Sequence, residues 1–251
     1  MTGRPARRAE GALALRSAGR THEGRVRRLN EDSLLEAPQL GLWAVADGMG
    51  GHEAGEVASR RVVDALAALP APASGFGFVR DVSEALQRAN AELIEYAAGR
   101  HTDVVGSTVV VLLAVDGHWA CLWAGDSRGY LFRDGRLARL TRDHSLVQEL
   151  VDKGALTPAE AHASRRANVI TRAVGVDAAL DLEMAQGPIR LGDTFLLCSD
   201  GLTGVLDDGE IEGLLARVPD PQACAGRLVE AALDRGAPDN VTAVLVRAEA
   251  V

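Results

Sequence analysis

Apolar side chains follow two spacings along this chain, and each stretch of one spacing predicts an element. Leu40, Leu42, Trp43, Ala44, Val45 and Ala46 form a nearly unbroken run, which predicts a buried strand. The run stops at Asp47-Gly48, so Asp47 is expected at the strand's end. Ser33 to Leu35 predicts the start of a partner strand, and Ala12 to Ala18 an earlier one. Beyond Gly51 the spacing changes: Val57, Val62, Leu66 and Leu69 share a helical face that ends at Pro70. After a loop from Ala71 to Gly77, Val79, Val82, Leu86, Leu93 and Ile94 share the face of a second helix.

From Thr108 to Leu140 the pattern predicts two hairpins, 108–115 with 119–124 and 129–132 with 137–140, turning at Asp116-Gly117 and Asp134-Gly135. Helices are expected over 144–154, 157–164, 208–217 and 222–235, and strands over 194–198 and 241–246. Hairpins alternating with pairs of amphipathic helices indicate antiparallel sheets covered by helices, an α+β arrangement.

With 251 residues and 47% apolar content, the chain can bury a large core, and one domain over 13–251 is expected after a disordered tail at 1–12. A formal charge of −8 argues against general nucleic-acid binding, which needs a cationic footprint, and leaves phosphorylated protein partners open. Arg4, Arg7, Arg8, Arg16 and Arg20 make the start of the chain basic. No apolar stretch long enough for a signal peptide or a membrane span follows, so a cytoplasmic protein without membrane contact is expected. Cys121, Cys198 and Cys224 are far apart and odd in number, as free thiols in a reducing compartment would be.

Four apolar segments each carry an aspartate at or near one end: Asp47, Asp126, Asp200 and Asp239. If they converge, they make an all-oxygen site with no His or Cys beside them, which suits Mg2+ or Mn2+ and disfavours zinc. Clustered carboxylates without a cation would raise one another's pKa and cost stability. Other hydrolase patterns fail. Gly48-Met49-Gly50-Gly51 lacks the Gly-Lys-Ser/Thr of a P-loop, and His52-Glu53 lacks the second histidine of the helical zinc motif. A cysteine phosphatase needs an arginine six positions after its nucleophile, where this chain has Ser127, Gly204 and Glu230.

Seven segments together carry a likeness: Arg27 with Asn30-Glu31-Asp32, Ala46 to His52, Ala54 to Ala58, Gly106 to Thr108, Ala124 to Arg128, Leu197 to Leu202 and Ala237 to Thr242. In that order they resemble the PP2C (PPM) family of metal-dependent protein serine/threonine phosphatases, in its bacterial form. The likeness runs from Thr21 to Val246 and takes in Leu140 to Ser145, which resembles the entry to the family's flap, here about 144–172.

The resemblance implies a four-layer α-β-β-α sandwich of two antiparallel sheets flanked by helices, with two Mn2+ or Mg2+ ions at one edge. Asp47 would bridge both ions and the Gly48 carbonyl would bind one. Asp200 and Asp239 would hold the other, and Asp126 with Asp200 a weaker third. Glu31 and Asp32 would act through water on the ions. The implied chemistry is in-line attack on phosphorus by a water that the cations make acidic, with no phosphoenzyme.

Arg27 offers a planar fork of donors to the phosphoryl oxygens, and His52 is placed to protonate the leaving alkoxide. His22, His101, His118, His144 and His162 match no catalytic position, and Arg28 would face away from Arg27 if the segment is extended. Ala163 stands where many relatives have proline, which leaves flap conformation and substrate choice open.

The implied activity is hydrolysis of phosphoserine and phosphothreonine in proteins, opposing a cognate Ser/Thr kinase. Two rivals remain at this point: a catalytically silent phosphoprotein-binding module of the same fold, and a dinuclear phosphodiesterase or nuclease.

Overall fold

The structure, a computed structural model, describes residues 13–50, 54–100, 104–162, 164, 166 and 168–251. The tail expected at 1–12 and the residues His52, His101 and Ala163 lie outside them. In chain order the strands are β1 (Leu13–His22), β2 (Asp32–Ala37), β3 (Leu42–Gly50), β4 (Val105–Ser107), β5 (Val109–Val115), β6 (His118–Ala124), β7 (Arg128–Arg133), β8 (Arg136–Arg139), β9 (Glu183–Pro188), β10 (Thr194–Cys198) and β11 (Val241–Ala250). The helices are α1 (Ala54–Ala67), α2 (Gly75–Arg100), α3 (Leu146–Asp152), α4 (Pro158–His162), α5 (Asp200–Thr203), α6 (Asp208–Arg217) and α7 (Pro221–Asp234).

All strand pairs named here are antiparallel. One sheet has the order β1-β11-β10-β7-β8, and the other β2-β3-β5-β6-β9 with β4 added to the far part of β3. Between the sheets lie Trp43, Val45, Leu112, Phe195, Leu197 and Val244. The outer face of the β3 sheet is covered by Val62 and Leu66 of α1 with Val82, Leu86 and Leu93 of α2. The outer face of the β11 sheet is covered by Ile211 and Leu215 of α6 with Leu228 and Val229 of α7. This is the expected four-layer α-β-β-α sandwich. Strands covered on both faces need apolar residues at every position, which is why Leu42 to Ala46 shows no alternation.

Both hairpin turns have the left-handed backbone that their strand twist requires, with φ of 51° and 72° at Asp116-Gly117 and 53° and 76° at Asp134-Gly135. Three expectations are corrected. Strand β3 does not end at Asp47: it pairs with β2 as far as Asp32↔Asp47, and its last residues pair with β4 from Gly48↔Ser107. Asp47 therefore lies where β3 changes partner from β5 to β4, held by the Thr108 hydroxyl on its N–H at 3.1 Å and by the Thr108 N–H on its carbonyl at 2.9 Å. Residues 24–26 form a turn and 28–29 a bend, so the extended backbone needed for Arg28 to face away is absent. The helix expected from His144 starts at Leu146, capped by the Ser145 hydroxyl.

Candidate metal centre

Asp47 on β3, Asp126 in the turn after β6, Asp200 at the start of α5 and Asp239 just before β11 come from both sheets to one edge of the sandwich. Their electrostatics show the meeting. Burial raises the Asp47 carboxyl well above the usual carboxylate range, and the charges of Asp32, Asp200, Asp126 and Asp239 raise it further. Burial, then Asp200, pushes Asp126 up to about 8. Asp200 is raised by burial and by Asp239, with a hydrogen bond to Asp47 working against both.

Asp32 is buried beneath them and pushed up to about 7, chiefly by burial. Its Oδ2 accepts from the Ser199 hydroxyl at 2.7 Å and the Thr242 hydroxyl at 2.6 Å, which favour its charged form. Burial likewise raises Glu31. A Cβ on Gly55 would run into the Glu31 carboxylate and crowd the Gly48 carbonyl, so glycine lets the first turn of α1 pack closely there. The Gly48 N–H donates to the Glu31 carbonyl at 3.1 Å, tying β3 to the segment before β2.

Arg27 reaches the cluster from the loop after β1. Its Nη2 donates to Asp239 Oδ2 at 2.7 Å, and that bond, with the charges of Glu31 and Asp47, raises its pKa although half of the side chain is exposed. Arg128 lies on the other side. Its Nε at 3.1 Å and Nη2 at 2.7 Å donate to Asp143 and its Nη1 to the Tyr130 hydroxyl at 3.4 Å, and its charge lowers the pKa of both Asp126 and Asp200. A cleft of about 390 Å3 opens beside these groups, lined by Asp126, Arg128, Asp143, Ser145, Asn168 and Asp200. A larger apolar groove of about 600 Å3 between α2 and β9 includes Asp116 of a hairpin turn but none of Asp47, Asp126, Asp200 and Asp239.

The donor set fits a hard divalent cation. Glu31 Oε1, Asp32 Oδ1, Asp126 Oδ1 and Asp200 Oδ1 are buried without a hydrogen-bond partner, and such oxygens are costly unless a cation meets them. Among the described residues no group of three or more His, Cys, Asp or Glu side chains is placed to hold an ion by side chains alone, and hard divalent cations commonly complete their sphere with backbone carbonyls and water.

Sequence reasoning named the acids but not what holds them. Ser199, Thr242, Thr108 and Asn240 stand inside the motifs that signal the family, and each hydrogen-bonds a residue of the acidic corner or its neighbour. The signal was present in the motifs; the partners were not.

A two-sheet sandwich gathering aspartates at one edge defines a class, and the sequence places this chain in it. The family profile described as Protein phosphatase 2C matches residues 18–230, and the chain belongs to that family. Among characterised relatives, it is 40% identical over 235 residues to the serine/threonine protein phosphatase PstP of Mycobacterium tuberculosis, a match that takes in 93% of this chain and 45% of the relative. The chain thus spans about half the length of that relative. The solved structure of PppA, described as a key regulatory component of T6SS in Pseudomonas aeruginosa, superposes with a TM-score of 0.88 at 47% identity, covering 94% of this chain and 98% of that one. The catalytic domain of PstP in complex with two manganese ions superposes with a TM-score of 0.86 at 38% identity, covering 95% and 100% of the two chains.

Proposed function

We propose that this chain is a phosphoprotein phosphatase that hydrolyses phosphoserine and phosphothreonine esters with Mn2+ or Mg2+ held among its aspartates, opposing a Ser/Thr kinase in the cytoplasm. One observation carries the reading: buried carboxylates that raise one another's proton affinity while Glu31, Asp32, Asp126 and Asp200 each keep an oxygen without a partner. The two manganese ions in the PstP catalytic domain support it.

In this reading Asp47, the Gly48 carbonyl, Asp200 and Asp239 hold two ions, Asp126 joins Asp200 on a third, and Glu31 and Asp32 act through water. When bound, the ions supply Lewis-acid activation of water and offset the charge on the phosphoryl oxygens. Arg27 binds and orients the phosphoryl group with the guanidinium donors that Asp239 leaves free. The β3 backbone, pinned at Asp47 by Thr108 and Ser107, keeps that carboxylate aimed while substrate enters. His52, outside the described residues, gives its proton to the leaving serine or threonine oxygen.

The test is phosphate release from a phosphothreonine peptide with Mn2+ and with chelator. Turnover that requires Mn2+ is expected; none under either condition marks a silent binding module, and preference for a phosphodiester marks a nuclease-like enzyme. His52→Ala is expected to slow the peptide more than an aryl phosphate with a good leaving group, because only the peptide's alkoxide needs the proton. Equal losses on both substrates would remove His52 from the acid role.

A further inference from the structure

The loop that carries Arg27 has little to hold it. Among the described residues, the backbone of residues 26–30 makes one hydrogen bond, through the Leu29 carbonyl, and the donor is the carboxamide of Asn240 at 2.9 Å. The same Nδ2 donates to the Glu23 carbonyl at 3.0 Å, and Oδ1 accepts from the Glu31 N–H at 2.8 Å. One buried side chain therefore fastens the loop at its beginning and its end, spending both donors and its acceptor on backbone. Asn240 is also anchored to the acid beside it, its own N–H donating to Asp239 Oδ1 at 2.9 Å.

A second feature brings the loop down onto the same place. Gly24 has φ of +82°, and a Cβ there would run into the Asp239 carbonyl, while the Arg25 N–H donates to the Ala237 carbonyl at 2.9 Å. The loop thus lies against the turn before β11, and the carboxamide of Asn240 closes it.

We propose that Asn240 is a positioning residue for phosphate binding: by clipping Glu23, Leu29 and Glu31 it sets where the guanidinium of Arg27 stands relative to Asp239. This rests on the phosphatase reading, in which Arg27 holds the phosphoryl group. The action is indirect, because the carboxamide is occupied by backbone and the phosphoryl oxygens meet Arg27. Asn240 should then matter only while Arg27 is present.

The experiment is a cycle of Asn240→Ala, Arg27→Ala and the double variant on the whole chain. KM and kcat are read on a phosphothreonine peptide, affinity for inorganic phosphate and for Mn2+ by calorimetry, and Tm as a check on folding. In the wild-type background Asn240→Ala is expected to raise KM and weaken phosphate roughly tenfold, with Mn2+ affinity held within about twofold. In the Arg27→Ala background it is expected to change phosphate affinity by less than about twofold, since the route through Arg27 is gone. Asn240→Ser keeps one donor and should fall between; it carries the cycle if the alanine variant does not fold.

The proposal is overturned if a folded Asn240 variant binds phosphate as the wild type does, or if the loss is the same in both backgrounds. If the wild-type protein releases no phosphate from the peptide, the phosphatase reading fails by itself, and the phosphate titrations still decide the role of Asn240.

Discussion

Asp47 stands where burial and neighbouring charge both oppose its ionisation, and in the phosphatase reading its carboxylate regains from a cation what it loses in water. Asparagine keeps the shape and removes the charge. Asp47→Asn is therefore expected to cut turnover at least about a hundredfold and to weaken Mn2+ in calorimetry, with the metal-free Tm unchanged or higher because repulsion falls. Wild-type turnover in that variant rejects the role. Arg27 contributes differently, being half exposed and bound to Asp239. A hydrogen bond from a charged donor is worth about 1.5–3 kcal/mol, so Arg27→Ala should raise KM roughly tenfold or more while kcat moves little. A large fall in kcat at unchanged KM would assign it to the transition state instead. These residues could be named from sequence because each interrupts an apolar run or sits in a family motif. Asn240 could not be given its work that way: its carboxamide reaches a carbonyl 217 positions away, and no linear pattern says which backbone group a buried amide will find.

Elements were legible in proportion to their length and burial. The long helices α1, α2 and α7 and the doubly covered strands β5, β6 and β10 announce themselves by period or by unbroken apolar runs. Three elements were not foreseen. β4 is only three residues long, and β9 is an edge strand of alternating exposure that ends in Gly187-Pro188. α5 is a four-residue turn that looks like the loop after an apolar run, yet it carries Asp200. What lets α5 lie against the start of β11 is Gly201, since a Cβ there would run into the Asn240 carbonyl. Gly201→Ala must push Asp200 and Asp239 apart. It is expected to destabilise by roughly 1–3 kcal/mol, to lower Tm by about 2–10 °C and to abolish Mn2+-dependent turnover. As a control at the same scale, Asp207→Ala breaks the capping box of α6 and should cost about 1 kcal/mol while leaving turnover intact. Wild-type Tm and turnover in Gly201→Ala would show that the two elements need no such contact.

Across the whole molecule the acidic corner sets how stability depends on pH and metal. Asp32 and Asp126 hold their protons more tightly folded than unfolded, with pKa values pushed up to about 7 and about 8. A carboxyl raised in this way stabilises the fold below its unfolded pKa, and that stability is lost as pH rises through the folded value. Metal-free protein should therefore lose Tm from about pH 4, where the unfolded carboxyls titrate, to about pH 8, where the folded Asp126 does. In the phosphatase reading a divalent cation replaces those protons, so its binding strengthens as the folded carboxyls release them towards about pH 8. At a hundredfold excess over its dissociation constant a ligand adds about 2.7 kcal/mol, which for a chain of this size is roughly 5–10 °C. Thermal melts with Mn2+ and with chelator are expected to diverge as pH rises, the gap widening from small near pH 6 to that order above pH 8. A gap that is absent, or equal at every pH, would separate the carboxylates' proton affinity from metal binding and remove the metal from this corner.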